Sequence, residues 1–573
     1  MEESQTEIDS VLYALGPISV FPLVQCVVYF FSYLPGSWQF LVYVFTGQEV
    51  THRCAPPTND SDIVIPELNA SEDVVNTTLV QYGECSISVI QNVSGDVTKK
   101  EYGCVYGMQY ENPRDFSFVS EFDLVCDVKL LGGLTQSVAT LGYGIGCFIL
   151  PWLSDLYGRK RTIFISNLLM LLSTLVTGVA PNYVVFVVSK FVLGFGVGLV
   201  AVTAVVELFP STHRSVSSGF WSTLWWSICV GSLAPVAYFL RFESWRTFLL
   251  ITCAANGLVL ITIPILSEPL LWLVDKEKED EAVKVIKRAA RWNHRDSQAI
   301  LNIFYGLQRR KNPLEKLDID RELQSQIEDH RESPTRQRKQ DGIAKESMML
   351  KLEERGDSTP AMSSQVREES LGFKDLFTKR RLRINTLVTW FMWFIDAWTY
   401  NALYLTSAQM AGSLYVNVFL NAVAEGASCI LMLLLLDRLG RKKCIAIFHV
   451  ICGFGLIASG ICFNFQESRV MQIVGTFFSL CGKVGIGGSF NSLFLYTPEI
   501  YPTSVRNRAI GTAMAVSTLG GMIAPFTNIM GEYAIWLPGA VFGTCSFLSV
   551  LLLRALPESK GRELPKTLSD LEA

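Results

Sequence analysis

Long apolar runs separated by short polar loops dominate the chain. A helix needs about 20 apolar residues to cross a bilayer. By that measure the pattern predicts twelve spans, at 15–45, 131–152, 162–180, 183–206, 218–240, 247–266, 384–405, 413–436, 444–463, 470–496, 509–530 and 535–553. Two polar stretches interrupt them, 46–130 after the first run and 267–383 after the sixth. They divide the chain into an N-terminus (1–14), a six-helix half (15–266), a central segment (267–383), a second six-helix half (384–553) and a tail (554–573). Half of the residues are hydrophobic and only 18% are charged, too apolar for an ordinary soluble protein. The expected fold class is an all-α polytopic membrane protein.

The polar loops repeat. Asp155-Leu-Tyr-Gly158-Arg159-Lys160 returns as Asp437-Arg-Leu-Gly440-Arg441-Lys442, and Glu207-Leu-Phe-Pro-Ser-Thr-His-Arg214 returns as Glu499-Ile-Tyr-Pro-Thr-Ser-Val-Arg506. A weaker pair is Ser267-Glu268-Pro269 and Pro557-Glu558-Ser559. Three landmarks in one order in both halves indicate two parallel six-helix pseudo-repeats, as in major facilitator transporters. Glycine suits a tight hinge, and Asp155 suits a helix N-terminus or nearby basic groups. The Glu207–Arg214 and Glu499–Arg506 pairs are expected to act as conformational gates.

Charge and cysteines set the sidedness. Basic residues gather at Arg159–Arg161, His213–Arg214, the central segment, Arg438–Lys443 and Arg506–Arg508, which the positive-inside rule places in the cytoplasm with both termini. Arg241, Arg246 and Arg469 run against the rule. Segment 46–130 carries the sequons Asn59, Asn69, Asn76 and Asn92 together with Cys54, Cys85, Cys104 and Cys126. Four sequons beside four cysteines point to an extracellular, glycosylated, disulfide-bonded loop, with three pairings open. The acidic start lacks a signal-peptide n-region, so the first run is expected to remain as a span. In the central segment, Ala282, Val285, Ile286, Ala289 and Ala290 have helical spacing within 275–293, whereas 311–369 is too polar to bury a core.

An ionisable residue inside a span marks a site, because burying its charge costs at least about 2.5 kcal/mol. Asp396 and Glu425 fit best. Trp390, Trp393, Asp396 and Tyr400 recur at helical spacing, an aromatic face with a carboxylate suited to an organic cation. Lys483 could pair with Glu425 or serve an anion. No phosphate loop, nucleophile elbow or metal-ligand spacing is present, so neither an enzyme nor a cofactor or metal is expected, nor a nucleic-acid partner. Oligomeric state is left open.

The chain resembles the organic cation, organic anion and carnitine transporters of the major facilitator superfamily. The resemblance spans nearly the whole chain. It is carried by Glu121-Phe-Asp-Leu-Val-Cys126, Asp155–Lys160, Ala289-Ala-Arg-Trp-Asn293, Gly482-Lys-Val-Gly-Ile486, Tyr496-Thr-Pro-Glu-Ile-Tyr-Pro-Thr503 and Leu556-Pro-Glu-Ser-Lys-Gly-Arg562. Departures are Pro151 in place of a usual Gly and Lys190 in place of a common buried Arg. The resemblance implies Phe490 and Tyr496 as pocket residues, and Thr518 at a position often charged in the family. It implies a plasma-membrane carrier of small organic ions, cationic or zwitterionic, working by alternating access between two bundles. An organic anion carrier and a transport-dead receptor on the same scaffold are the alternatives.

Overall fold

A computed structural model describes residues 2–17, 19–57, 77–93, 96–197, 204–210, 222–311, 375–465, 467–561 and 565. Asn59, Asn69, Asn76, Arg214 and nearly all of 311–369 lie outside the described residues. The first half contains α1 (Glu2–Leu15), α2 (Val20–Thr46), α3 (Lys129–Tyr157), α4 (Arg159–Gly178), α5 (Tyr183–Gly196), α6 (Ser222–Phe239) and α7 (Trp245–Thr262). The central segment adds α8 (Leu270–Asp275), α9 (Glu279–Trp292) and α10 (Ser297–Lys311). The second half contains α11 (Arg380–Leu405), α12 (Leu414–Leu439), α13 (Arg441–Phe463), α14 (Arg469–Glu499), α15 (Thr503–Ile523) and α16 (Leu537–Leu553).

Every apolar run of the sequence carries one of these helices. Among the described residues eight helices are long and apolar enough to cross a membrane, and three more apolar ones are shorter. The remaining one, α11, is diluted by Asp396, Asn401 and its tryptophans and tyrosines, with Arg380, Arg381 and Arg383 at its start. The first run does not start at 15. Gly16, at φ +93°, and Pro17 close α1, and the span begins at Val20.

The expected loop 46–130 is held to the first half by side chains. Strand β1 (His52–Cys54) pairs antiparallel with β5 (Met108–Tyr110), and β2 (Thr77–Tyr82), β3 (Ile87–Val93) and β4 (Asp96–Tyr102) form a second antiparallel sheet, with Asn92 on β3. Disulfides join Cys54 to Cys104 and Cys85 to Cys126. Glu121 accepts hydrogen bonds from Trp245 at 2.6 Å and Arg246 at 2.7 Å, and Arg246 also donates to the carbonyls of Gly178 and Ala180. The charge of Arg246 is therefore met locally. Arg241 stacks on Tyr238 and Phe242, 4.1 and 4.4 Å from the ring centres.

On the opposite face α1, α8, α9 and α10 build a satellite core from Val11, Leu15, Leu273, Ile286, Ala290 and Phe304. Asn293 pins it to the bundle, accepting from Phe21 N and donating to Leu15 O, each at 2.8 Å. The halves pack through α3 against α15 and α6 against α12. Cross-half contacts at the loop face include Lys129–Glu532 at 2.6 Å, the stacked rings of Phe45 and Tyr415, and Ser137 Oγ donating to Met522 O at 2.6 Å. The halves are closed together on that face.

Candidate functional site

A cavity of about 320 Å³ lies between the halves. The first half contributes Tyr33, Phe40, Tyr143 and Trp226, and the second Trp393, Tyr400, Asn401, Glu425, Phe490 and Thr518. Its α11 face runs Trp393, Ala397, Tyr400, Asn401, an i, i+4, i+7, i+8 stripe. Helical geometry puts Asp396 about 100° round the helix from Ala397, and Asp396 is absent from the lining.

Glu425 is the one formally charged side chain among the described lining residues. Its two carboxylate oxygens accept hydrogen bonds from Tyr400 and Tyr404, both at 2.6 Å, and Trp226 Nε1 donates to the Tyr400 hydroxyl at 2.7 Å. Behind it Lys483 Nζ stands 3.9 Å from Glu425, 3.4 and 3.7 Å from the centres of the Tyr400 and Tyr404 rings, and donates to Tyr400 O at 3.3 Å. The sequence-predicted aromatic, carboxylate and cation thus meet, with Lys483 supporting Glu425 from the protein side. Phenol donors and a buried ammonium repay the desolvation of the carboxylate.

Four expected pocket residues stand elsewhere. Asp396, fully buried, accepts from Ser489 Oγ at 2.8 Å and lies 3.6 Å from His449 in the second half's interior. Lys483 is also fully buried and outside the cavity. Trp390 donates to Thr512 at 3.2 Å and packs edge-on to Phe377. Tyr496 donates to the carbonyl of Pro557. Thr518 reaches the cavity and presses on Gly144, where a Cβ would overlap its side chain. Trp226, Tyr143 and Phe40 were not singled out by sequence reasoning, since aromatic residues on apolar helices carry no mark of which face meets the other half.

The repeated loops form two matching clusters. Gly158 (φ +108°) and Gly440 (φ +91°) turn the chain where β-carbons disfavour that conformation. Arg159 then pairs with Glu207 at 2.6 Å and Asp155 at 2.8 Å, and Arg441 with Glu499 at 3.2 Å. The expected Glu499–Arg506 pairing does not form; Arg506 donates to Tyr501 O at 3.3 Å instead. Arg441 reaches Glu499 from a neighbouring helix start in its place.

The weakest repeat supplies the caps. Glu268 accepts from the backbone N–H groups of Arg159 and Lys160 at 2.8 and 3.1 Å, and Glu558 from Lys442 N at 3.4 Å. Both carboxylates face helix N-termini, where the dipole favours them. Burial nonetheless raises the Glu268 carboxyl above its ordinary range, opposed by backbone hydrogen bonds from residues 159–161. Lys160 Nζ donates to Pro264 O and Leu266 O, and Lys442 Nζ to Arg554 O and Leu556 O.

Two helical halves around a shared polar-aromatic cavity, each with the same charged glycine loop, have the layout of a membrane transporter. The chain belongs to the Major Facilitator Superfamily, whose family model matches residues 129–525. It is 28% identical over 461 residues to an organic cation transporter protein of Drosophila melanogaster, covering 80% of this chain and 74% of that one. Solute carrier family 22 member 16 of Homo sapiens is 26% identical over 575 residues (95% and 89%), and organic anion transporter 3 of Oryctolagus cuniculus 25% over 569 (98% and 93%). The xylose transporter XylE from E. coli, in a partially occluded inward open conformation, shares the fold with TM-score 0.57 at 15% identity, covering 95% of this chain and 100% of that one.

Proposed function

We propose that the protein is a plasma-membrane secondary transporter that carries small organic cations or zwitterions through the cavity between its halves. The observation that carries this reading is the lining itself: Glu425 is its formally charged group, set among Trp226, Trp393, Tyr400 and Phe490. Aromatic faces attract a desolvated ammonium by about 0.5–2 kcal/mol, and a carboxylate supplies the balancing charge. A cavity of about 320 Å³ is of the size that encloses a small ligand.

The proposed topology puts 46–130 outside, with Asn59, Asn69, Asn76 and Asn92 as glycan acceptors, and both termini and the central segment in the cytoplasm. Contacts across the halves at the loop face support an arrangement whose next movement closes the opposite face. The clusters around Asp155–Arg159–Glu207 and Arg441–Glu499 brace the ends that move. For a net cation the membrane potential contributes about 2.3 kcal/mol per charge per 100 mV, which drives accumulation without ATP.

Carriage of organic anions is the second reading, favoured by Lys483 lying 3.9 Å behind Glu425. Uptake of a cation, anion and zwitterion panel at two membrane potentials separates the two, with trans-stimulation separating a carrier from a receptor. Saturable cation uptake that grows with inside-negative potential is expected. Saturable uptake confined to anions would overturn the cation assignment.

A further inference from the structure

A second, larger cavity, of about 690 Å³, lies outside the transport route, where α4 and α7 meet α8 and α9. Its lining carries five basic side chains, Lys160, Arg161, Lys278, Lys284 and Arg288, against two acidic ones, Glu268 and Glu281. The acids are already engaged. Glu268 caps the start of α4, and Glu281 lies 3.9 Å from Lys278. Lys160 is also engaged, donating to Pro264 O and Leu266 O. Arg161 and Lys284 are exposed, and Arg288 is half-buried, its Nη1 donating to Ser267 Oγ at 3.3 Å and its guanidinium 4.9 Å from the centre of the Trp292 ring. Burial of Ala282, Ile286, Ala289 and Ala290 on the opposite face of α9 fixes Lys284 and Arg288 toward the cavity, one turn apart.

The cavity is continuous with apolar surface. Phe164 and Ile165 form its wall and are exposed, and the exposed line continues up α4 through Leu168, Leu172 and Val176. Beside it Leu258 and Ile261 on α7 and Ile265 just beyond its end are exposed, with Ile261 at 72%. Apolar faces are exposed on the other spans too, as a bilayer requires; what sets this place apart is the basic pocket at the end of two of them, which gives the layout of a lipid, charge at the membrane surface and hydrocarbon along the helices.

We infer that this cavity holds the headgroup of an anionic phospholipid, its acyl chains lying along α4 and α7 and its phosphate and carboxylate or added phosphates met by Arg161, Lys284 and Arg288. Guanidinium groups suit phosphate oxygens by forked hydrogen bonding. The occupant would bridge α9 to Arg161, two residues beyond the hinge arginine Arg159, and so tie the hinge to membrane composition. The inference rests on the proposed topology only for its leaflet, the cytoplasmic one, where anionic lipid is concentrated.

The test uses the purified full chain in nanodiscs of phosphatidylcholine containing a minor fraction of phosphatidylserine or of a phosphoinositide, with retained lipid read by native mass spectrometry after detergent release. Wild type is expected to retain anionic lipid selectively. Arg161→Ala/Lys284→Ala is expected to lower that retention about thirtyfold, taking about 1 kcal/mol per basic group at a membrane surface. Lys276→Ala/Lys287→Ala, equal in charge change and outside the cavity, is expected to keep it. Equal retention by all three proteins would overturn the assignment, as would full displacement of the lipid by soluble inositol phosphate, which would identify a free polyanion as the occupant. Because binding in nanodiscs needs no transported substrate, failure here leaves the carrier reading standing, and failure of uptake leaves this one standing.

Discussion

Arg159 donates two hydrogen bonds to Glu207, at 2.9 Å from Nε and 2.6 Å from Nη2, across 48 residues of chain. Arg441 and Glu499 repeat the pairing in the second half at 3.2 Å. Each pair lies within one half, tying its glycine loop to its Glu-x-x-Pro loop.

Lysine cannot form the forked pair that Arg159 makes. Arg159→Lys is therefore expected to keep most surface expression while slowing uptake several-fold, with a smaller effect from Arg441→Lys, whose bonds are longer. Initial uptake rates normalised to surface-biotinylated protein check this. Wild-type velocity in Arg159→Lys would remove the hinge from the transport cycle.

Glu425 and Lys483 depend on each other. Removing one partner of a buried ion pair costs about 3–5 kcal/mol because the other charge stays uncompensated. Glu425→Gln and Lys483→Met are each expected to lose expression, and the double variant to regain it, since both charges then leave together. Cation uptake should stay lost in the double variant. A double variant that carries cations at the wild-type rate would show that the pair is structural and that Glu425 does not attract the substrate.

The disulfides Cys54–Cys104 and Cys85–Cys126 close loops with sequence separations of 50 and 41. Loops of that length are stabilised by about 4 kcal/mol per crosslink in the chain-entropy account. Cys85→Ser should add Cys126 to the alkylatable thiols while Cys54 and Cys104 stay protected. Peptide mapping under non-reducing conditions reads the pairing, and labelling of Cys104 in place of Cys126 would refute it.

Length and apolarity make the twelve spans legible, because in lipid an apolar run of this length satisfies its backbone groups within itself only as a helix. The hinge loops were legible as a duplication, and their glycines as turns. Their partners were not. Glu207 and Arg159 belong to different loops, and a sequence motif shows charges that are neighbours in the chain, as with Glu499 and Arg506, in preference to those brought together by packing. Asp396 fails in the cavity for a similar reason. Spacing by three and four puts it beside Trp393 and Tyr400 on one broad face, yet the cavity occupies only the flank toward Ala397 and Asn401. The half-to-half interface decides which flank, and Trp226 reaching Tyr400 from α6 has no local signature at all.

Gly158 and Gly440 allow strain and steric overlap to be separated. Gly158 at φ +108°, ψ 156° and Gly440 at φ +91°, ψ 163° occupy a region essentially reserved for glycine, which costs a residue with a β-carbon about 1–3 kcal/mol. At Gly158 the added Cβ would also run into the Glu268 carboxylate and approach Trp272, whereas at Gly440 the Glu558 carboxylate is 3.1 Å away and can yield. Gly158→Ala is therefore expected to destabilise more than Gly440→Ala. Glu268→Ala alone removes a helix cap, a loss of about 1 kcal/mol, but in the Gly158→Ala background it also relieves the overlap. Gly158→Ala/Glu268→Ala should then melt at or above Gly158→Ala, although each single change lowers stability. Thermal unfolding of the detergent-solubilised protein followed by size-exclusion fluorescence provides the comparison. Simple additivity of the two losses would mean that Glu268 does not occupy the space behind Gly158, and the capping arrangement would fall with it.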